Sequence, residues 1–124
     1  MADDQRPHLL IIDDDVEIRS LLRDWLSKEG FWIYEAGDGP SALKLIGSFK
    51  FDLLITDLCL PPPLNGIEIV KRAREHCPQL RSLFISGHEG PKSDNPRYDD
   101  FISKPFNARQ FVGCVWELLR RRSL

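Results

Sequence analysis

The sequence predicts an α/β fold in which helices cover both faces of a parallel β-sheet. Short runs that are apolar at consecutive positions alternate along the chain with longer amphipathic segments. This alternation is typical of parallel sheets, whose strands are buried on both faces. Four of the runs lead into a polar residue that can bind or react, namely Asp13, Asp57, Ser86 and Lys104. Because the carboxyl ends of parallel strands meet at one edge of the sheet, we expect these side chains to share a crevice.

Length and composition favour one small domain, residues 1–124 with a core over about 7–122. The net charge of -2 gives no reason to expect direct binding to nucleic acid or to a membrane surface. No apolar stretch approaches the roughly 20 residues that span a bilayer, and the first residues lack the apolar region of a signal peptide. We therefore expect a cytoplasmic protein.

The first half of the chain contains two strand signals, each followed by a helix signal. Leu9–Ile12 predicts the first strand, and Asp15 is a suitable N-cap for the helix after it. That helix ends before Gly30, and its predicted apolar stripe consists of Ile18, Leu21, Leu22, Trp25 and Leu26. The second strand is predicted at Phe31–Tyr34, and Pro40 suits the first position of a short second helix.

A third strand and a third helix follow, separated by a proline-rich loop. The strand is predicted at Phe51–Thr56 and the loop at Asp57–Gly66, where Pro61–Pro63 excludes helix. The third helix begins near Ile67 and ends before Pro78. Its inward residues are predicted to be Ile67, Val70 and Ala73.

The last third of the chain is less regular. Leu83–Ser86 predicts a fourth strand, but Gly87–Asp100 has no apolar periodicity and is predicted to be a loop with one helical turn at most. Phe101–Ser103 predicts a short fifth strand, and Asn107 caps a final helix. The apolar stripe of that helix is formed by Phe111, Val112, Val115, Leu118 and Leu119.

The residues at the strand ends indicate a site for a cation and a phosphoryl group. Like charges about 4 Å apart repel by about 4 kcal/mol at an effective dielectric of about 20, so Asp13, Asp14 and Asp57 require a positive partner. Mg2+ is suited to such oxygen ligands, and Lys104 supplies a further positive charge. A carboxylate in these surroundings can attack a phosphoryl donor and become an aspartyl phosphate, which Ser86 could hydrogen-bond.

These segments resemble the receiver domains of bacterial two-component response regulators. The matching pieces occur in the family's order and near its separations, and they are LLIIDDD with DVEIRSLLRDWL, FDLLITDLCLP, LFISG and FISKPF. The resemblance covers nearly the whole chain. It implies a flavodoxin-like, doubly wound sheet of five parallel strands in the order 2-1-3-4-5. It also implies Mg2+ as cofactor and a histidine kinase or histidine phosphotransfer protein as the phosphoryl donor.

The resemblance assigns a role to each acidic residue of the site. Asp57 matches the phosphoacceptor, and Asp13 and Asp14 match the family's acidic pair, in which Asp14 is the direct Mg2+ ligand. Asp57 also contributes to the metal site, and Cys59 would offer its backbone carbonyl to the ion. The metal site implied for this chain is therefore built entirely from oxygen atoms.

The resemblance also identifies residues that respond to the phosphoryl group. Ser86 matches the switch hydroxyl and Lys104 the family's invariant lysine, while Lys104–Pro105 matches a peptide bond that is usually cis. Phe101 stands where the family carries its switch aromatic, although a core phenylalanine is an equally good interpretation. In such domains, phosphorylation draws the serine toward the phosphate and lets the aromatic side chain turn inward.

The chain departs from the family pattern in two loops. The loop after Asp57 is one residue longer than usual, and the stretch between Ser86 and Lys104 is several residues shorter. We therefore expect the fourth helix of the family to be short or absent. That helix belongs to the surface by which receiver domains commonly pair and signal, so homodimerisation and the downstream protein target stay open.

Three functions are compatible with these residues. The first is a phosphoacceptor signalling domain, which catalyses only its own phosphorylation and dephosphorylation and then switches an interaction surface. The second is a degenerate receiver that binds partners without phosphorylation, which the missing fourth helix would suit. The third, an aspartate-nucleophile phosphohydrolase, is disfavoured because Cys59 stands where such enzymes carry an acid/base aspartate.

Cys59 and His88 are predicted to set the lifetime of the phosphoryl group, since they lie two residues after the acceptor and the switch hydroxyl. We expect Cys59→Asn and His88→Glu to change the rate of autodephosphorylation without abolishing it. The rate of phosphate loss from the phosphorylated protein measures this effect. Wild-type rates in both variants would contradict the prediction.

Overall fold

The fold is described from a computed structural model covering residues 5–87 and 101–121. Within these residues the chain forms five strands and four helices. The strands are β1 (His8–Ile12), β2 (Trp32–Ala36), β3 (Leu53–Asp57), β4 (Arg81–Ser86) and β5 (Phe101–Ser103). The helices are α1 (Val16–Ser27), α2 (Gly39–Ser48), α3 (Gly66–His76) and α4 (Ala108–Arg120). No helix of the described segments is long and apolar enough to cross a bilayer.

All strand pairs are parallel, and their order is β2-β1-β3-β4-β5, which confirms the predicted fold class. Alternate residues of a strand point to opposite faces, so β1 contributes to two separate cores. Leu9 and Ile11 pack with α1 and α4, while Leu10 and Ile12 pack with α2 and α3. Burial on both faces explains why the central strands are apolar at consecutive positions.

The edge strand β2 differs from its predicted bounds. Its parallel pairing with β1 begins at Trp32 and extends to Ala36, two residues beyond the predicted end. Phe31 instead precedes the strand and packs on Trp116, with ring centroids 4.8 Å apart. Glu35 belongs to the strand although it is charged, because its carboxylate forms ion pairs along the surface of α1.

Strand and helix ends elsewhere follow the predictions to within a few residues. β3 pairs from Leu53 rather than Phe51 and includes Asp57 as its last residue. Asp15 caps α1, and Asn107 caps α4 with a capping box. Pro40 occupies the second position of α2 instead of the first, because the N-cap is Asp38.

Two predicted apolar stripes are rotated slightly in the structure. In α1 the fully buried residues are Leu22 and Leu26, whereas Leu21 is 44% exposed at the margin of the buried face. In α3 the residue Ile69 is buried and Ile67 only partly so. Helical spacing identified the correct side of each helix but not the residue at its centre.

Some predictions fall outside the described residues. His88, the irregular segment after Gly87 and the short or absent fourth helix all lie within residues 88–100.

The core of the α1/α4 face is expected to carry much of the stability. Phe111 is fully buried. Its ring centroid lies 5.7 Å from that of Phe106 and 6.0 Å from that of Trp25. Truncating a buried phenylalanine typically costs about 3–5 kcal/mol, so Phe111→Ala should lower the free energy of unfolding by that amount. Phe49→Ala is the matched control, because Phe49 is 47% exposed and should cost less than half as much. Urea denaturation measures both values, and equal losses would contradict this description of the core.

Candidate functional site

Three aspartates meet at the carboxyl edge of the sheet. Asp13 and Asp14 follow β1, and Asp57 ends the neighbouring strand β3. One carboxylate oxygen from each residue lies within 4.8 Å of the other two. Parallel pairing of β1 with β3 therefore brings together the carboxylates that the sequence placed at two separate strand ends.

Asp13 is the most deeply placed of the three, with only 2% of its surface exposed. Its Oδ1 accepts a hydrogen bond from the Asp15 backbone N–H at 2.9 Å. Among the described residues, its Oδ2 is a buried atom that has no hydrogen-bond partner. A buried oxygen without a donor fits the oxygen-ligand preference of Mg2+ and supports the predicted cation site.

The pKa of Asp13 reflects the same lack of compensation. Burial of the carboxyl raises its pKa to about 6, and the negative charges of Asp57 and Asp14 add to the rise. The hydrogen bond from the Asp15 N–H and the positive charge of Lys104 oppose the rise. In the absence of a cation, therefore, the Asp13 carboxyl takes up a proton as pH falls below about 6, well above the range of an ordinary aspartate.

Asp57 is held by one contact on each carboxylate oxygen. Its Oδ1 accepts a hydrogen bond from the Cys59 backbone N–H at 2.9 Å, and its Oδ2 lies 3.9 Å from Lys104 Nζ. The side chain of Asp57 is still 16% exposed. The carboxylate is thus oriented by its neighbours while an incoming group can still reach it.

Lys104 is brought to the site by the backbone of β4. Its N–H donates to the Ser86 carbonyl at 2.7 Å, directly beyond the paired residues Ser86 and Ser103. The Lys104–Pro105 peptide bond that follows is cis.

Ser86 and Phe101 lie on neighbouring strands but differ in exposure. Ser86 is 3% exposed and stands one residue beyond Ile85, which is the register partner of Asp57. Phe101 is 43% exposed on the edge strand β5, so it is not a core side chain. Cys59 carries an exposed thiol and contacts Asp57 through its backbone.

Gly66 and Arg19 are two site residues that the sequence pattern did not reveal. A Cβ on Gly66 would collide with the Asp57 carbonyl oxygen, so the start of α3 can approach the end of β3 only with glycine there. The dipeptide Asn65-Gly66 is a local signal for a turn, but not for contact with Asp57. Arg19 donates a hydrogen bond to the backbone carbonyl of Asp13. In the sequence it looks like any other charged residue on the polar face of a helix, so the sequence carries no signal for this contact.

The chain is similar to known proteins over most of its length. The family model for the response regulator receiver domain matches residues 9–115. The response regulator receiver protein CpdR of Brucella abortus (strain 2308) is 35% identical over 115 residues, covering 90% of this chain and 95% of that protein. The transcriptional regulatory protein CpxR of Escherichia coli (strain K12) is 37% identical over 116 residues, which cover 91% of this chain and 49% of CpxR.

The same relationship is found among solved structures. The receiver domain of NtrX from Brucella abortus superposes with a TM-score of 0.85 at 30% identity, covering 92% of this chain and 99% of that chain. The chain spans about half the length of CpxR but nearly all of CpdR and of the NtrX receiver domain. Sequence and fold thus agree over most of its length, and the chain belongs to the response regulator receiver domain family.

Proposed function

We propose that the protein is a cytoplasmic phosphoacceptor signalling domain in which Asp57 receives a phosphoryl group from a histidine kinase or histidine phosphotransfer protein. The arrangement of Asp57 carries this proposal. Its carboxylate is partly exposed, one oxygen is held by an N–H, the other faces Lys104, and two further aspartates stand beside it. A carboxylate that is oriented, accessible and flanked by groups for a cation is suited to attack phosphorus.

The acidic residues would hold the cofactor. Asp14 and Asp57, with the backbone carbonyl of Cys59, are the proposed ligands of Mg2+, and Asp13 completes the acidic pair that attracts the ion. Bound Mg2+ would offset negative charge on the transferring phosphoryl oxygens. The Oδ2 of Asp13, which has no hydrogen-bond partner in the described part of the chain, supports this assignment, because a nearby cation would offset the cost of its burial.

The transfer itself requires positioning more than acid or base catalysis. A carboxylate oxygen of Asp57 forms a bond to phosphorus while the P–N bond of the donor phosphohistidine breaks, and its electron pair stays on the imidazole nitrogen. Lys104 offsets charge that develops on the phosphoryl oxygens. Water later breaks the acyl phosphate, which releases inorganic phosphate and restores the carboxylate. These self-directed steps make the domain a signalling element rather than an enzyme for external substrates.

The response to phosphorylation is proposed to run through β4 and β5. Ser86 is buried beside the end of β3, within the sheet edge that the phosphoryl group would occupy. Its hydroxyl moves toward the phosphate, and Phe101, now exposed, turns into the space released. The surface that changes is therefore near β5, where a downstream protein target would sense the phosphorylation state.

Incubation with acetyl phosphate and Mg2+ tests the proposal. We expect intact-mass spectrometry to show one phosphoryl adduct per chain, lost in Asp57→Asn because the amide is not a nucleophile for phosphorus. Chelation of Mg2+ should also suppress the adduct, since the carboxylates would then repel the donor. Asp52→Asn, a matched control at the opposite end of β3, should leave the adduct unchanged.

Other outcomes identify the competing functions. An adduct that persists in Asp57→Asn would place the acceptor elsewhere. No adduct in the wild-type protein would favour a phosphorylation-independent binding scaffold. Repeated turnover of a foreign phosphate ester would favour a phosphohydrolase.

The raised pKa of Asp13 predicts how stability varies with pH when Mg2+ is absent. The folded-state pKa of Asp13, about 6, exceeds the usual aspartate value of 3.8, so the native state binds more protons between these pH values. The wild-type free energy of unfolding should therefore contain a contribution that is present near pH 4 and lost as pH rises through about 6. The shift corresponds to about 3 kcal/mol.

Asp13→Asn cannot ionise and should lack this loss, so its stability relative to wild type should increase between about pH 4 and about pH 8. Urea denaturation with chelator present measures the difference. Asp24→Asn removes an exposed carboxylate of α1 and controls for the change in net charge. Wild-type and Asp13→Asn stabilities that run parallel across this pH range would contradict the prediction.

A further inference from the structure

Arg19 connects the acidic turn to the edge strand β2. It lies in α1, and its Nη1 donates to the backbone carbonyl of Asp13 at 2.6 Å. Its Nε donates to Glu35 Oε1 at 3.2 Å, and its side chain is only 18% exposed. One guanidinium therefore ties the residue that follows β1 to a carboxylate of β2, in a partly buried ion pair with a charge-assisted hydrogen bond.

The backbone around this contact is shaped to admit the guanidinium. A Cβ added to Gly37 would lie 3.0 Å from Arg19 Nη1, so a side chain there would press on the arginine. The N–H of Asp13 donates to the Ala36 carbonyl at 3.1 Å, one residue before that glycine. Both backbone polar groups of Asp13 are thus tied to β2, one directly and the other through Arg19 and Glu35.

We propose that Arg19 is a positioning residue for the cation site, which it maintains by fixing the backbone of Asp13 so that Asp13 and Asp14 face Asp57. The inference rests on the proposed function, because that function gives the three carboxylates a cation to bind. Residues that orient ligands without touching the metal commonly change its affinity by about 10–100-fold. Arg19 acts here through the carbonyl of Asp13.

Electrostatics and positioning predict opposite effects of removing Arg19. The positive charge of Arg19 repels Mg2+. If this repulsion were the only effect of Arg19 on the site, removing Arg19 would tighten Mg2+ binding. If Arg19 positions the acidic turn, its loss lets Asp13 move and weakens Mg2+ binding. The sign of the change therefore separates the two explanations.

Arg23 provides a matched control. It donates to the other oxygen of Glu35, Oε2, at 2.8 Å, and its side chain is 46% exposed. Its described contacts are with Glu35 and Asp24, and neither of these residues belongs to the acidic turn. Removing Arg23 deletes the same charge from the same ion-pair network without releasing the Asp13 carbonyl.

The test is calorimetric titration of the full chain with Mg2+, at a temperature where each variant is folded by circular dichroism. We expect Arg19→Gln to weaken Mg2+ binding about tenfold. Arg23→Gln should stay within about twofold of wild type or bind more tightly, as expected for loss of an exposed charge. Glu35→Gln should weaken binding, and the Arg19→Gln/Glu35→Gln double variant should be no weaker than Arg19→Gln, because both changes break one connection.

A second readout separates positioning from general loss of stability. The initial rate of adduct formation from acetyl phosphate should fall in Arg19→Gln at low Mg2+ and recover at saturating Mg2+. Should Arg19→Gln fail to fold, Gly37→Ala displaces the guanidinium instead and should weaken Mg2+ binding in the same direction.

If a folded Arg19→Gln or Gly37→Ala variant binds Mg2+ as tightly as the wild-type protein, or more tightly, the role proposed for Arg19 is wrong. That outcome leaves the proposed function unaffected. Absence of an adduct in wild type overturns the proposed function, while the Mg2+ affinities still decide the role of Arg19. A wild-type protein that binds no Mg2+ overturns both.

Discussion

Repulsion among three carboxylates at one edge of the sheet is the constraint on which the site depends. Parallel pairing of β1 with β3 brings Asp13, Asp14 and Asp57 together, and one oxygen of Asp13 is buried with no hydrogen-bond donor among the described residues. The two hydrophobic cores on either face of the sheet hold this unfavourable cluster together. The need for positive charge then accounts for Lys104 in the crevice and for the proposed cation.

Under the proposed function, stability and reactivity therefore make opposite demands on this site. Burial and the neighbouring carboxylates raise the pKa of Asp13 and weaken the folded state without a cation. Under the proposed function, the same features attract the cation that would let Asp57 accept a phosphoryl group. Arg19, Glu35 and Gly37 extend the site beyond the residues that would touch phosphate. They link the acidic turn to the edge strand β2. The geometry of the crevice therefore depends on a strand that contributes no ligand or reacting group to it.

The parallel sheet and the meeting of Asp13 with Asp57 were predictable because buried parallel strands have a distinctive composition and end at a common edge. The order of the strands followed instead from the resemblance to receiver domains. N-caps such as Asp15 and Asn107 were predictable because their signals are local. The bounds of β2 were not, because Glu35 stays in the strand through an ion pair with another element. Arg19 and Gly66 were missed for the same reason, since their contacts with Asp13 and Asp57 exist only after the chain has folded.

The central claim is that a cation in the acidic crevice makes Asp57 reactive. The most direct measurement compares the Mg2+ dependence of the initial rate of phosphorylation by acetyl phosphate with the Mg2+ dissociation constant of the unphosphorylated protein. If the claim is correct, the rate reaches half its maximum at a Mg2+ concentration equal to that dissociation constant, because only the cation-bound site reacts. A rate that is the same with saturating Mg2+ and with chelator would contradict it.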